Sequence, residues 1–178
     1  MNLEKPTETE LLRLARQLDS RALAQIYDQY SPELYRYAMR LLGNPSIAED
    51  CVAEAFSRLL RVLAAGKGPR DHLRAYLYRI AHNWITDLYR REPPGEELDE
   101  SISSDASPPE DATDQNMQRV RIRQAVEKLT PDQRQVIVLK FWQDWENEEI
   151  ARLLGKPVGA VKSIQHRALS ALQKHLQE

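Results

Sequence analysis

The chain has 178 residues, of which 42% are hydrophobic and 29% are charged, and its formal net charge is −2. These values predict a soluble globular protein with one domain or two small ones. We expect no signal peptide and no membrane insertion, because no apolar run reaches the roughly 18 residues that a membrane-spanning helix needs. The single cysteine, Cys51, excludes a disulfide framework and a thiolate metal cluster, and we expect it to be buried in a cytoplasmic protein.

Charge is distributed unevenly along the chain. Residues 92–118 contain nine acidic residues and no lysine or arginine, whereas the segments on both sides carry a net positive charge. The acidic segment is rich in proline and serine and has few large apolar residues, so it cannot bury enough surface to offset the entropy of ordering. We therefore predict two basic domains, 1–91 and 116–178, joined by an acidic flexible linker over 92–115.

Helical periodicity dominates the first domain. Apolar spacing predicts helices at 6–18, 21–30, 33–42, 46–63 and 70–91. A break is expected between the second and the third helix, because Ser31-Pro32 has the pattern of a cap followed by a first-turn proline. The predicted buried stripe of the last helix is Leu73, Leu77, Ile80, Trp84 and Leu88.

The second domain has predicted helices at 116–129, 131–142, 147–154 and 158–176, which completes an all-α fold class. Gly155 suits the left-handed residue that ends a helix, and Pro157 suits the first turn of the next one. The last helix has an apolar side formed by Val161, Ile164, Ala168, Leu169, Leu172 and Leu176. Its opposite side is small, basic or hydrogen-bonding and consists of Lys162, Ser163, His166, Arg167, Ser170 and Lys174.

A short helix, a glycine turn and a longer helix with a basic outer face are typical of a helix-turn-helix. No acidic residue occurs between Ile150 and Gln177, which favours a nucleic-acid partner. Gly159 and Ala160 are small enough to let the helix N-terminus approach a phosphate or the floor of a groove. The alternative is an αα-hairpin whose basic face is only solvated.

A transcription repressor or activator and an enzyme are two alternative classes of function. A stand-alone repressor or activator uses the same helix-turn-helix, but it leaves the first domain without a ligand-binding signal. An enzyme is disfavoured, because the four histidines lack metal-ligand spacing and the chain has no nucleophile motif or glycine-rich phosphate loop. We therefore predict no catalytic residue, no cofactor and no metal site.

Two stretches carry a resemblance to a known family. IYDQYSPELYRYAMRLLGNPSIAEDCVAEAFSRLLRVL and LRAYLYRIAHNWITDLYRR resemble region 2 of the extracytoplasmic-function (ECF) sigma factors, which are small sigma-70 family subunits of bacterial RNA polymerase. VEKLTPDQRQVIVLKFWQDWENEEIARLLGKPVGAVKSIQHRALSALQKHL resembles their region 4. The resemblance implies a region 2-like helical bundle and a region 4-like helix-turn-helix on either side of the linker.

For region 2, the resemblance implies recognition and opening of the −10 promoter element. It places contacts at Arg79, Asn83 and Asp87, beside a loop at 65–72 that is thought to set base preference. We add Tyr76 to these candidates, with core packing as an equal alternative. Basic residues that could follow phosphates are Arg58, Arg61, Lys67, Arg70 and Arg74, of which Lys67 and Arg70 lie on the loop. The alternative for each is a solvated helix face.

The resemblance also implies docking on core RNA polymerase. It places the helix at 46–63 on the clamp helices of the β′ subunit, where Asp50 and Glu54 are the candidate contacts, and it places region 4 on the β flap. The spacing of four puts Asp50 and Glu54 on one helical face. The alternative for Asp50 is a favourable charge near a helix N-terminus.

For region 4, the resemblance implies that the last helix enters the major groove at the −35 element. The candidate contacts are Lys162, Ser163, His166 and Arg167, with Gly159 and Ala160 near the DNA backbone. The chain departs from the family at Ile164 and Gln165, where relatives often have Arg and Leu, so no base contact is assigned to either.

The resemblance implies a further protein partner and a role for the linker. An anti-sigma factor is an expected partner, and the free chain is expected to be a monomer. The acidic linker could mimic RNA in a basic channel of the polymerase, or it could be a solubilising tether.

Overall fold

The computed structural model describes residues 6–91 and 113–177 of the chain. The helices are α1 (Glu8–Ala15), α2 (Ser20–Leu42), α3 (Pro45–Ala64), α4 (Leu73–Arg91), α5 (Thr113–Glu127), α6 (Pro131–Ile137), α7 (Asn147–Leu154) and α8 (Val158–Gln177), with a π-helical turn at Val138–Trp142 after α6. No strand occurs within the described ranges, which confirms the predicted all-α class. The chain divides into two compact units, Met1–Glu96 and Glu97–Glu178.

In the first unit, α2, α3 and α4 pack against one another, and α1 packs against α2. Local sequence sets the helix ends: Asp19 Oδ1 accepts a hydrogen bond from Ala22 N at 2.8 Å, and Asn44 Oδ1 accepts one from Ile47 N at 3.1 Å. Gly43 ends α2 in the left-handed conformation with φ of 68°. The rings of Tyr37 and Tyr78, both fully buried, meet at 5.0 Å between centroids and anchor α4 on α2.

The predicted break at Ser31-Pro32 is wrong, because α2 runs without interruption through Pro32. Proline inside a helix loses a backbone hydrogen bond and costs about 3 kcal/mol. Buried side chains nevertheless continue with helical spacing on both sides of it, among them Ile26, Tyr30, Leu34 and Tyr37. Pro32 itself is exposed, so packing of one long helix outweighs the local proline penalty.

The predicted apolar stripe of α4 is partly wrong. The buried face is centred on Leu73, Leu77, Ala81 and Ile85, all fully buried and spaced by four residues. Trp84 lies at the edge of this face and is half-buried, as is Leu88. The sequence prediction followed the large tryptophan, whereas the small Ala81 marks the centre of the packed face.

In the second unit, α8 contacts α5, α6 and α7. Val161, Ile164 and Ala168 are buried as predicted, but Leu169 and Leu176 are each 44% exposed, so the predicted apolar side of α8 is too wide. The packed side of α8 follows Ala168, which forms a core cluster with Leu129 and Ile137, and Ala171 and Leu172 pack against this cluster.

Other expectations fall on particular residues. Cys51 is buried as predicted, and burial raises the pKa of its thiol to about 12. None of the described helices is long and apolar enough to cross a membrane. Most of the predicted linker, residues 92–112, lies outside the described residues, and α5 begins at Thr113, earlier than predicted.

Candidate nucleic-acid interface

The turn between α7 and α8 has the geometry of a helix-turn-helix. Gly155 ends α7 in the left-handed conformation, with φ of 63° and ψ of 33°, a conformation that glycine adopts without a steric penalty. Lys156 N then donates to Ala151 O at 3.0 Å, and Pro157 O accepts from Val161 N at 3.1 Å, which starts α8. Buried Ile150 of α7 and Val161 of α8 belong to the core of this unit, and this leaves the opposite side of α8 in solvent.

The outer face of α8 presents four candidate residues around one shallow surface depression, namely Lys162, Ser163, His166 and Arg167. All four are exposed. Ser163 Oγ donates to Gly159 O at 2.9 Å, and Arg167 Nε donates to Ser163 O at 3.4 Å, so these two exposed side chains lie along the helix surface. The structure therefore brings together the residues that the sequence predicts for a groove contact.

Four further positions of α8 differ in their exposure to solvent. Ile164 is 7% exposed and belongs to the core, so it is not available to a base edge. Gln165 is half-buried beside it. Gly159 is exposed, and a Cβ placed on it would meet no described atom within 4 Å, so packing against the described residues does not explain the glycine. Ala160 is half-buried.

The outer face of α8 carries a positive charge. Among the described residues, Lys162 and Arg167 take part in no ion pair, whereas Lys156 is 3.1 Å from Asp132 Oδ2. Two cations on an exposed helix face without an acidic neighbour suit a phosphate backbone or the acceptor atoms of guanine.

In the first unit, three predicted residues share an exposed face of α4. Arg79, Asn83 and Asp87 are spaced by four residues and are all exposed, and Asp87 Oδ1 lies 3.7 Å from Arg90 Nη1. Tyr76 is half-buried on the same helix, which fits both a packing role and a contact at the interface. Tyr78, in contrast, is a core residue.

The loop at 65–72 leads into the start of this face. It has three residues with positive φ: Gly66 at 69°, Gly68 at 114° and His72 at 51°. Lys67 and Arg70 are exposed on it, and neither takes part in an ion pair within the described part of the chain. Both are thus available to a polyanion.

Three other basic candidates are engaged by acidic residues of the same unit. Arg58 and Arg61 pair with Glu54 at 2.5 Å and 3.3 Å. Arg74 Nε lies 3.1 Å from Glu33 Oε2, and its guanidinium stacks over the Tyr78 ring at 5.5 Å from the centroid. Burial raises the pKa of the Glu33 carboxyl, and Arg74 opposes that shift. Of the five phosphate candidates, Lys67 and Arg70 are the two that no ion pair engages within the described residues.

The two candidate docking residues on α3 differ in their surroundings. Asp50 is exposed, and no ion pair involves it in the described ranges. The Glu54 side chain is 30% exposed and pairs with Arg58 and Arg61. The hydrogen bond from Arg58 is the main cause that lowers the pKa of the Glu54 carboxyl.

Sequence patterns missed two residues, one that contacts the loop at 65–72 and one that contacts the start of α4. Arg16 and Glu8, both from the α1 segment, hydrogen-bond to the loop and to the first residue of α4. These pairs lie 52, 53 and 65 residues apart in the chain, so local periodicity gives no signal for them.

The chain matches two family models, "Sigma-70 region 2" over residues 26–93 and "Sigma-70, region 4" over residues 119–172. SigW, an ECF RNA polymerase sigma factor of Bacillus subtilis, is 34% identical over 172 residues, which cover 90% of this chain and 91% of SigW. BldN, an ECF RNA polymerase sigma factor of Streptomyces coelicolor, is 32% identical over 173 residues, which cover 94% of this chain and 65% of BldN.

Solved structures agree with this fold. CnrH, solved in complex with the cytosolic domain of CnrY, has a TM-score of 0.71 and 25% identity, over 96% of this chain and 97% of CnrH. The sigma factor RpoE of Bartonella quintana, solved in complex with the anti-sigma factor NepR, has a TM-score of 0.65 and 22% identity, over 86% of this chain and 96% of RpoE.

A helix-turn-helix unit that matches region 4, following a helical unit that matches region 2, defines a protein of the sigma-70 class. With its identity to SigW and BldN, the chain belongs to the ECF sigma factors of that family.

Proposed function

We propose that this sigma factor binds core RNA polymerase and directs it to promoters by reading a −35 element with α8 and a −10 element with α4 and the loop at 65–72. The observation that carries the proposal is the exposed face of α8. Four residues with donor or acceptor groups surround one depression there, and no acidic residue occurs from Ile150 to Gln177. Catalysis belongs to the polymerase, and the chain supplies specificity without a cofactor.

At the −35 element, α8 enters the major groove, whose width of roughly 12 Å admits a helix. Lys162 and Arg167 contact base edges and phosphates. Ser163 and His166, whose side chains are shorter, add hydrogen bonds to the DNA. Gly159 and Ala160, in the first turn of α8, lie against the DNA backbone, where small side chains let the positive end of the helix dipole come close to a phosphate.

At the −10 element, the chain captures a base that has left the stack of the non-template strand. Arg79, Asn83 and Asp87 offer donors and acceptors along one exposed face of α4, and Lys67 and Arg70 on the loop neutralise phosphates. Unstacking a base costs a few kcal/mol, which such contacts must return.

Core polymerase is bound through both units. Asp50 on α3 faces the β′ clamp helices, with Glu54 in a lesser role because its own arginines hold it. The second unit contacts the β flap, and exposed apolar side chains such as Phe141 and Leu169 are available for that contact.

An anti-sigma factor is the proposed regulator of the chain. CnrH and RpoE, which share this fold, were each solved with a bound regulator or partner domain. We propose that the free chain is a monomer with domains at 1–91 and 116–178, and that its acidic linker lies in the RNA path of the polymerase.

Run-off transcription tests the proposal. The purified chain is added to sigma-free core polymerase with fragmented DNA of its source genome, and transcript starts are mapped. Discrete starts that share two upstream elements are expected. No starts, together with sequence-specific duplex binding by the chain alone, would instead identify a regulator that acts without the polymerase.

A further inference from the structure

The loop at 65–72 is held in place by α1, a helix that the −10 proposal does not otherwise use. Arg16, at the C-terminal end of α1, donates from Nη2 to Gly68 O at 3.0 Å and to Pro69 O at 3.1 Å. A Cβ on Gly68 would lie 3.3 Å from side-chain atoms of both Leu63 and Val62. The loop backbone is therefore fixed between Arg16 on one side and the end of α3 on the other.

A second contact fixes the start of α4. Glu8 Oε1 accepts from Leu73 N at 3.2 Å, and Glu8 Oε2 accepts from Tyr30 OH at 3.0 Å. The first N–H groups of a helix have no partner inside it, and a carboxylate there satisfies one and opposes the positive end of the dipole. Glu8 therefore caps α4 from another helix, and Tyr30 orients the cap.

The Arg16 side chain is committed to this contact. It is half-buried, and its Nε is buried without a hydrogen-bond partner among the described residues. Burying such a donor is unfavourable, so the two carbonyl contacts must compensate for it. Arg13, three residues earlier on the same helix, is exposed and makes no comparable contact in the described structure. A substitution of Arg13 therefore removes a charge from α1 without removing a contact to the loop.

We propose that Arg16 is a positioning residue for −10 recognition. It holds the Gly68 and Pro69 carbonyls, so that the loop at 65–72 meets the flipped base in one conformation. Arg16 thereby sets the base preference of the loop. This inference rests on the proposed −10 role of that loop. Arg16 does not contact DNA; it acts through the loop backbone. A loop held in one conformation rejects bases that do not fit, and a loosened loop accommodates them.

The test uses holoenzyme reconstituted from core polymerase and the full chain, at a promoter found by the run-off experiment. Open-complex formation is measured on the native −10 sequence and on each single-base substitution of it. We expect Arg16→Ala to reduce the preference for the native base about tenfold, the scale of losing hydrogen bonds from a charged donor. Arg13→Ala should match the wild type. Arg16→Lys, which keeps one charged donor, should recover part of the preference.

A second measurement reports on the conformation of the loop at 65–72 directly. Hydrogen exchange of the full chain should show faster exchange for amides of 65–72 in Arg16→Ala and Arg16→Gln, and unchanged exchange for α8. Should Arg16→Ala not fold, Arg16→Gln and Arg16→Lys take its place in both assays.

The outcomes separate this inference from the function on which it rests. Wild-type base preference in a folded Arg16→Ala or Arg16→Gln holoenzyme overturns the inference alone. A uniform loss of activity on all −10 sequences, with an unchanged preference, assigns Arg16 a purely structural role and overturns it as well. A wild-type chain that starts no transcript removes the proposed function first.

Discussion

Glu54 Oε1 accepts a hydrogen bond from Arg58 Nε at 2.5 Å, one turn further along α3, and lies 3.3 Å from Arg61 Nη2. A carboxylate whose charge is already balanced by its own helix offers less to a basic partner than a solvated one. Asp50, one turn earlier, is exposed and makes no such pair in the described part of the chain. The same contacts place Arg58 and Arg61 in ion pairs, whereas Lys67 and Arg70 take part in none within the described ranges.

Asp50→Arg should therefore weaken the binding of the chain to core polymerase by about tenfold, because it replaces an attraction to a basic partner with repulsion. Fluorescence anisotropy of a labelled chain, titrated with core, measures the affinity. Glu49→Arg is the matched control, since Glu49 is an exposed neighbour on the same helix. An unchanged affinity for Asp50→Arg would leave Asp50 with only a favourable charge near the helix N-terminus.

The double variant Lys162→Ala, Arg167→Ala should abolish initiation that depends on the −35 element and leave core binding intact. Each lost phosphate contact lowers the salt dependence of duplex binding by roughly 0.9 in the logarithmic slope. Lys174→Ala, which removes an exposed cation near the C-terminal end of α8, is the control and should stay close to the wild type. Loss of core affinity in the double variant would count against the assignment of α8.

Asn83→Ala should impair promoter opening more than closed-complex formation, because an exposed amide on α4 can read the edge of a base only after that base leaves the stack. Permanganate footprinting measures the melted thymines, and binding at low temperature measures the closed complex. Normal melting by the variant would remove Asn83 from the −10 contacts.

Local sequence signals predicted the helix-turn-helix of the second unit. The Gly155 turn and the outer face of α8 were predicted because a left-handed cap and a run without acidic residues are visible in consecutive residues. The core of α4 was predicted less well, since the small Ala81 marks its centre and the large Trp84 its edge. Arg16 gave no signal at all, because its partners follow 52 and 53 residues later and are backbone carbonyls that any residue type could supply.

Pro32 tests whether packing of α2 outweighs the penalty of a proline inside a helix. Since α2 continues through it, Pro32→Ala should restore a backbone donor and raise the free energy of unfolding by about 1–3 kcal/mol. Thermal and urea denaturation of the full chain measure the change. Gln29→Ala, at an exposed position of the same helix, should change the stability by less than about 0.5 kcal/mol. A destabilising Pro32→Ala would instead indicate two helices that meet at the proline.

Two glycines of the helix-turn-helix should respond in opposite ways to the same substitution. Gly155 has φ of 63°, so Gly155→Ala forces a side chain into the left-handed region and should destabilise the second unit by about 1 kcal/mol. Gly159 is helical and has open space around it, so Gly159→Ala should stabilise α8 by about 0.5 kcal/mol. Denaturation measures both effects.

Duplex binding then separates folding from recognition at Gly159. If the first turn of α8 lies against the DNA backbone, the added methyl group should weaken binding of the holoenzyme to the −35 duplex although the chain is more stable. Stability and affinity that rise together would show that the first turn does not approach the DNA closely. We expect stability to rise and affinity to fall, because no described atom within 4 Å of a Cβ at Gly159 explains a glycine at this position.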